Sequence, residues 1–231
     1  MKSRPSRILP LTPNRISASL YAMNVKQAWE IVGGLSRPSK MPCYGFSIPA
    51  KRCKTGRKLR NVLGSICSKC YALKGRYVFT RIQAALEKRF KRLKHARWVE
   101  AMTFLVGTKC KAGFFRWFDS GDLQGVWHLA NIVKVCEATP AVLHWLPTRE
   151  YHFVAEYIKK HGPLPPNLIV RVSSYMIDGA PPVAFAKRFG VVTSGVSADS
   201  YSCPSSGQGG KCLDCRACWN KNIANVNYKL H

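Results

Sequence analysis

Seven of the ten cysteines fall into two groups with the spacing of iron–sulfur ligand sets. Cys203 is followed by Cys212, Cys215 and Cys218, so three thiols recur at every third residue with a fourth upstream. Earlier in the chain Cys53 precedes Cys67 and Cys70. Thiolates are the ligands of such clusters, and two successive C-x-x-C steps let one loop wrap a cubane. Zinc sites more often draw on two separated pairs. Thiolate ligation alone does not separate the two metals, so Zn stays the alternative for the C-terminal set. Cys43, ten residues before Cys53, is the candidate fourth ligand of the first set. Cys110 and Cys136 read as buried core thiols.

A chain of 231 residues, 46% hydrophobic, is long enough for one domain with a real core. Ten cysteines would suit a disulfide framework only in a secreted setting, and the basic N-terminus has no apolar signal-peptide core behind it. No stretch approaches the roughly 18 apolar residues of a membrane span. The expected setting is a reducing cytoplasm, with no membrane partner.

The net charge is +26 and unevenly placed. Residues 1–100 hold 23 Lys or Arg against Glu30, Glu87 and Glu100, whereas residues 101–231 hold 14 against eight acids. One dense run is Lys51, Arg52, Lys54, Arg57, Lys58 and Arg60; Arg76 follows, then Lys88, Arg89, Lys91, Arg92, Lys94 and Arg97. Such clusters are the electrostatic footprint of nucleic-acid binding, driven by counterion release. Compensating two anionic clusters takes only a few of these cations. Tyr71 and Tyr77, set among them, are candidate stacking rings for a single strand.

Elements must hold these residues in place. Residues 1–40 read as a peripheral basic segment with one short helix over 24–32. Residues 41–231 form a single α/β domain: a first Cys loop (41–75), βα units (76–200) and a second Cys loop (201–220). Apolar residues at helical spacing predict one long amphipathic helix over 77–106, with Ile82, Leu86, Phe90, Leu93, Met102 and Leu105 on one side. Strands are expected over 114–118, 141–146, 168–172 and from 191, with helices over 126–137, 151–161 and 182–189 between them. That alternation means βαβ units and a parallel sheet, either doubly wound or a partial (β/α) barrel. Small, hydroxyl and acidic residues collect after each strand: Asp119, Ser120, Gly121 and Asp122, then Thr148 and Arg149, with serines after the later strands. This is the rim where parallel α/β proteins place ligands, although helix caps also favour such residues. His128, His144 and His152 have no spacing to a cysteine pair and read as structural or rim residues.

The order Ser47-Ile-Pro-Ala, Cys53, Gly64-Ser-Ile-Cys67-Ser-Lys-Cys70-Tyr-Ala, Phe118-Asp-Ser-Gly-Asp122, Pro147-Thr-Arg149 and the tail Cys203-Pro…Cys212…Cys215-Arg-Ala-Cys218-Trp219 resembles the phage "gene product 88" domain family. The resemblance covers about residues 41–220. More distantly the chain resembles radical S-adenosylmethionine (radical SAM) enzymes, in which a three-cysteine loop precedes a partial (β/α) barrel. It implies a [4Fe–4S] cluster on Cys53, Cys67 and Cys70 with one iron open to S-adenosylmethionine, Asp119 to Asp122 near the cofactor's amino group, and a second, fully ligated cluster on the C-terminal set. The 14-residue step from Cys53 to Cys67 departs from the compact loop of those enzymes.

The expected function is a phage-encoded protein with two [4Fe–4S] sites that binds nucleic acid, or a complex containing it, in the cytoplasm of the infected bacterial host; a host or phage protein partner fits the same surface. The alternatives are a radical SAM-like enzyme acting on nucleic acid or a nucleotide, and a zinc-stapled structural or virion protein.

Overall fold

The computed structural model describes residues 23–230; most of the expected peripheral segment, with its first three prolines, lies outside them. Six strands form one open, all-parallel sheet in sequential order: β1 (Tyr44–Phe46), β2 (Phe114–Trp117), β3 (Leu143–Thr148), β4 (Leu168–Ser173), β5 (Val192–Ser197) and β6 (Asn225–Lys229). A doubly wound sheet reverses its strand order at a switch point, and here no reversal occurs. Seven helices are present among the described residues. They are α1 (Val25–Val32), α2 (Thr55–Leu59), α3 (Thr80–Arg92), α4 (Trp98–Lys109), α5 (Val126–Glu137), α6 (Tyr151–His161) and α7 (Val183–Phe189).

Alternation along the strands splits the sheet into two faces. Phe46, Phe115, Trp117, Leu146, Val170 and Val172 pack into the large core beneath the helices. Phe114, Trp145, Val226 and Tyr228 turn to the opposite face and pack against cysteine-bearing loops. α1 begins where Asn24 and Gln27 cap each other reciprocally, each side chain accepting the other's backbone N–H at 2.9 Å, and ends at Gly33 with φ 80°.

The single long helix expected over 77–106 is two helices, broken between Leu93 and Arg97. Trp98 is almost fully buried, with its ring 5.6 Å from Phe46 and 6.2 Å from Trp117. The break lets α4 sink into the core on several sides, with Ala101, Met102, Leu105 and Val106 all buried. α3 stays outside and buries only Leu86 and Arg89. The expected segment 41–75 contains a strand, β1, and β6 was not expected at all. β1 has three residues, too few to show a period, and β6 carries one buried apolar residue, Val226, among polar neighbours.

Two histidines are sealed in this core. Thr139 Oγ1 donates to the Val135 carbonyl at 2.7 Å, so it accepts from His144 Nε2 at 2.9 Å; His128 Nδ1 accepts the Gln124 N–H at 3.3 Å. An accepting Nδ1 makes His128 neutral, and burial lowers the pKa of both rings to about 3. The unfolded chain binds these protons at about 6.5. Stability from this source is fully present above pH 6.5 and is lost as pH falls toward 3. Urea titrations are expected to show stability falling by up to roughly 2.7 kcal/mol per pH unit over that window. A flat profile from pH 6.5 to 4 would show that the rings are not neutral and buried.

Candidate metal centres and the carboxyl rim

The first cysteine loop lies across the carboxyl ends of the strands and is stitched to three of the loops that leave them. Ser120 exchanges two hydrogen bonds with Ile48, at 3.0 and 3.1 Å. Glu150, wholly buried after β3, accepts from the backbone N–H groups of Lys54 and Thr55 at 3.0 and 2.8 Å and from the Thr55 hydroxyl at 2.8 Å. This sets a carboxylate against the open N–H groups at the start of α2. After β4, Tyr175 and Ile177 pair with Ile66 and Gly64 at 2.9 Å.

These ties bring Cys53, Cys67 and Cys70 together. The Cys53 thiol is pushed up by burial, then by Asp122, Cys70 and Cys67. Cys67 is also raised by burial, while the guanidinium groups of Arg149 and Arg60 pull it down. Gly56 sits under the pair: a Cβ there would lie 3.1 Å from Cys53 Cβ and 3.4 Å from Cys67 Sγ.

The rim residues hold one another. Asp122 accepts from the Thr148 hydroxyl at 2.6 Å and from the Leu123 and Arg149 N–H groups at 2.8 and 2.9 Å. Burial, then the Glu150 charge, raises its pKa to about 6 against those three donors. Gly121, at φ +83°, packs its Cα against the Ile48 carbonyl, where a Cβ would come within 2.7 Å. Asp119 turns away from Asp122: its Oδ2 accepts from the Tyr77 hydroxyl at 2.7 Å, and its carbonyl accepts from the Tyr71 hydroxyl. Asp119, Ser120, Gly121, Asp122, Thr148 and Arg149 thus meet at the rim, in two networks.

The second cysteine group lies on the sheet face opposite the helices. The β5–β6 connection carries Cys203 and Cys218 with Ala217 and Trp219 onto Trp145, Phe114 and Tyr228. Trp219 Nε1 donates to the Phe115 carbonyl at 2.8 Å, and Cys212 N–H donates to the Lys40 carbonyl at 2.9 Å. Cys212 is raised by burial and then by Cys203 and Cys215. Cys218, pushed up to about 11 by burial, lies 3.2 Å from the Tyr228 hydroxyl. Leu213, inside the Cys212–Cys215 step, has φ 42°, a left-handed conformation that costs an L residue roughly 1–2 kcal/mol. The strain falls between two of the candidate ligands.

Cys43 belongs to this second neighbourhood. It packs with Cys218 and Trp145, and its thiol is pushed up to about 12 by burial, then by Cys110 and, further down, Cys212. The first group is left with three cysteines.

Two inward-turned arginines were missed by sequence reasoning, Arg171 buried and Arg116 half-buried. Arg171 donates to five backbone carbonyls, those of Thr193, Ala217, Cys218, Asn220 and Ile223, at 2.7–3.1 Å. Arg116 lies over the Trp145 ring, 4.4 Å from its centroid. Burial works against the Arg116 charge, but Tyr71, Asp119 and Tyr228 around it raise its pKa overall. It faces the first site through Tyr71 and the second through Cys43, Cys212 and Cys218. The only available signal was a lone arginine inside each otherwise apolar strand.

All ten cysteines are free thiols. Among the described residues no three His, Cys, Asp or Glu side chains are close enough to grip a single ion. Thiol donors and the Cβ-free floor at Gly56 suit a sulfur-ligated metal centre.

The basic residues divide by exposure. Lys51, Arg52, Lys54, Arg57, Lys58, Arg76, Lys88, Lys91, Arg92, Lys94 and Arg97 are exposed. Arg60 is half-buried beside the first thiols. Arg89 does not belong to the surface: it is buried and donates to the Gly34 and Leu35 carbonyls at 3.1 and 3.0 Å, tying α3 to the end of α1. Tyr77 is likewise committed to Asp119. Arg52–Glu87 and Arg97–Glu100 form ion pairs at 3.2 and 2.7 Å. With 11 acids against 37 cations, and Asp119, Asp122 and Glu150 engaged at the rim, the positive charge is not neutralised within the chain. No helix among the described residues is long and apolar enough to cross a membrane.

No curated protein and no solved structure matches the chain. The family model described as gene product 88 matches residues 19–221, nearly nine-tenths of the sequence and both cysteine groups. The protein therefore belongs to the gene product 88 family, the phage family its motifs resemble.

Proposed function

We propose that this is an iron–sulfur protein of the phage-infected cell that carries two clusters and engages a polyanion, nucleic acid first, through its basic face. The observation that carries the reading is the sorting of the thiols into two sets, Cys53 with Cys67 and Cys70, and Cys212 with Cys203, Cys215 and Cys43, the last packed with Cys218. Cys53, Cys67 and Cys70 would hold one cluster, with Arg60 and Arg149 offsetting its negative charge. Cys203, Cys212, Cys215 and Cys218 would hold the other, with Cys43 beside them and Arg116 and Arg216 as countercharges. A cytoplasmic location in the host accords with free thiols.

Iron and acid-labile sulfide counts on anaerobically purified protein test this. About eight of each per chain is the expected result. Zinc without sulfide would sink it in favour of the zinc-stapled alternative.

One observation favours a second reading, an enzyme of radical SAM-like type. With Cys43 placed in the second set, the rim set has three thiols, and the sequential open sheet reads as a partial (β/α) barrel with that set at its mouth. Cys53, Cys67 and Cys70 would hold a cluster with one iron free of protein ligands, and that cluster would supply one electron to a bound co-substrate such as S-adenosylmethionine. The chain's own part would be positional: Glu150 fixes the loop through the start of α2, and Asp122 locks Thr148 and Arg149 beside the thiols. Asp119, with its Oδ1 buried and unpartnered, is the carboxylate available to an ammonium group.

A further inference from the structure

Resting on the polyanion reading, we propose that the surface leading into α3 binds single-stranded nucleic acid, with Phe79 as its stacking ring. Phe79 is 60% exposed, and Val78 and Ile82 beside it are 55% and 39% exposed. These residues stand on fixed backbone: the Phe79 carbonyl accepts the Ile82 and Gln83 N–H groups at 2.9 and 3.0 Å and so starts the helix. Exposed Lys74, Arg76 and Arg81 surround the ring in sequence. The nearest carboxylate along the chain, Glu87, is held by Arg52.

A solvated cationic face does not need an exposed aromatic ring, and a protein-docking patch would not need so much uncompensated charge. Phosphates meet the cations and a base face meets the ring, a pairing common to single-strand binders. A duplex hides its base faces in the stack, so the ring specifies an unpaired strand. The surface is also continuous with the rim. Tyr71, adjacent to Cys70, exposes 42% of its surface although its hydroxyl turns inward, and its ring lies 5.8 Å from Tyr77 on the turn before Phe79. A strand stacked on Phe79 would be led past the three-cysteine site.

The test is fluorescence anisotropy of the anaerobically purified full chain with labelled single-stranded DNA and RNA, the annealed duplex, and anionic phosphatidylserine vesicles as competitor. The single strand is expected to bind at least about tenfold more tightly than the duplex. Phe79→Ala should weaken it about tenfold without changing the salt slope, and Phe79→Trp should restore it. An exposed Phe leaves folding and iron content unchanged in both variants. Equal binding of duplex and single strand, with Phe79→Ala neutral, overturns this inference and leaves the polyanion reading standing. Preference for the vesicles overturns it in favour of a lipid surface. No binding to any of them overturns both, whatever the iron count.

Discussion

Arg171→Met is expected to unfold the second cysteine loop and to remove a large part of the protein's stability. The wild-type guanidinium is fully buried and is the common partner of five carbonyls from β5 and the loop ending at Ile223. Bonds to a charged group contribute about 1.5–3 kcal/mol each and do not add fully, so a net loss of about 4–6 kcal/mol is expected. That is a large share of the roughly 5–15 kcal/mol that a domain possesses. At this chain length it corresponds to a Tm lower by roughly 10–20 °C. Lysine is a poor substitute, because one ammonium cannot satisfy five carbonyls spread around a planar fork. Circular dichroism melts of the wild type, Arg171→Met and Arg171→Lys check this. A shift of only a few degrees in Arg171→Met would show that the loop is held by Trp219 and the cysteines instead.

Single serine substitutions are expected to separate the two thiol sets. Cys67→Ser should lower the iron count from about eight to about four and leave the second site intact. Cys212→Ser should produce the reverse pattern, since its thiol adjoins Cys43, Cys203 and Cys215. Cys43→Ser is the informative case. It should leave the rim cluster untouched, because Cys43 shares its surroundings with Cys218, Cys110 and Cys212. Cys110→Ser, at the end of α4, serves as a control for simple loss of a buried thiol. Loss of the rim cluster in Cys43→Ser would place that thiol in the first site and close its fourth position.

The βα units were legible because their signals are local. α5 and α6 occur at the expected residues, and β2 to β5 follow the short β-rich runs with the rim residues behind them. The break between α3 and α4 was not legible, since the apolar spacing continues through it. Only the packing of Trp98 against Phe46 and Trp117, residues distant in sequence, requires it. Both edge strands were hidden for the same reason: each is defined by its neighbour, not by its own period. At the site, spacing grouped the seven cysteines, but nothing in it showed that Cys43 packs with Cys218 and Trp145. Arg89 looked like one cation of a basic run, and its burial follows from the bare backbone of Gly33 and Gly34 passing close to α3.

The most direct test is the electron paramagnetic resonance spectrum of the anaerobically purified, chemically reduced protein, recorded with and without S-adenosylmethionine. Two cluster signals are predicted; a shift of one of them on addition would mark an iron that Cys53, Cys67 and Cys70 leave unligated and would favour the radical SAM-like reading. The other, from the C-terminal set, stays as it was. Two signals that both ignore the addition would favour the iron–sulfur binding protein over the enzyme, and a silent, zinc-loaded protein would contradict the account as a whole.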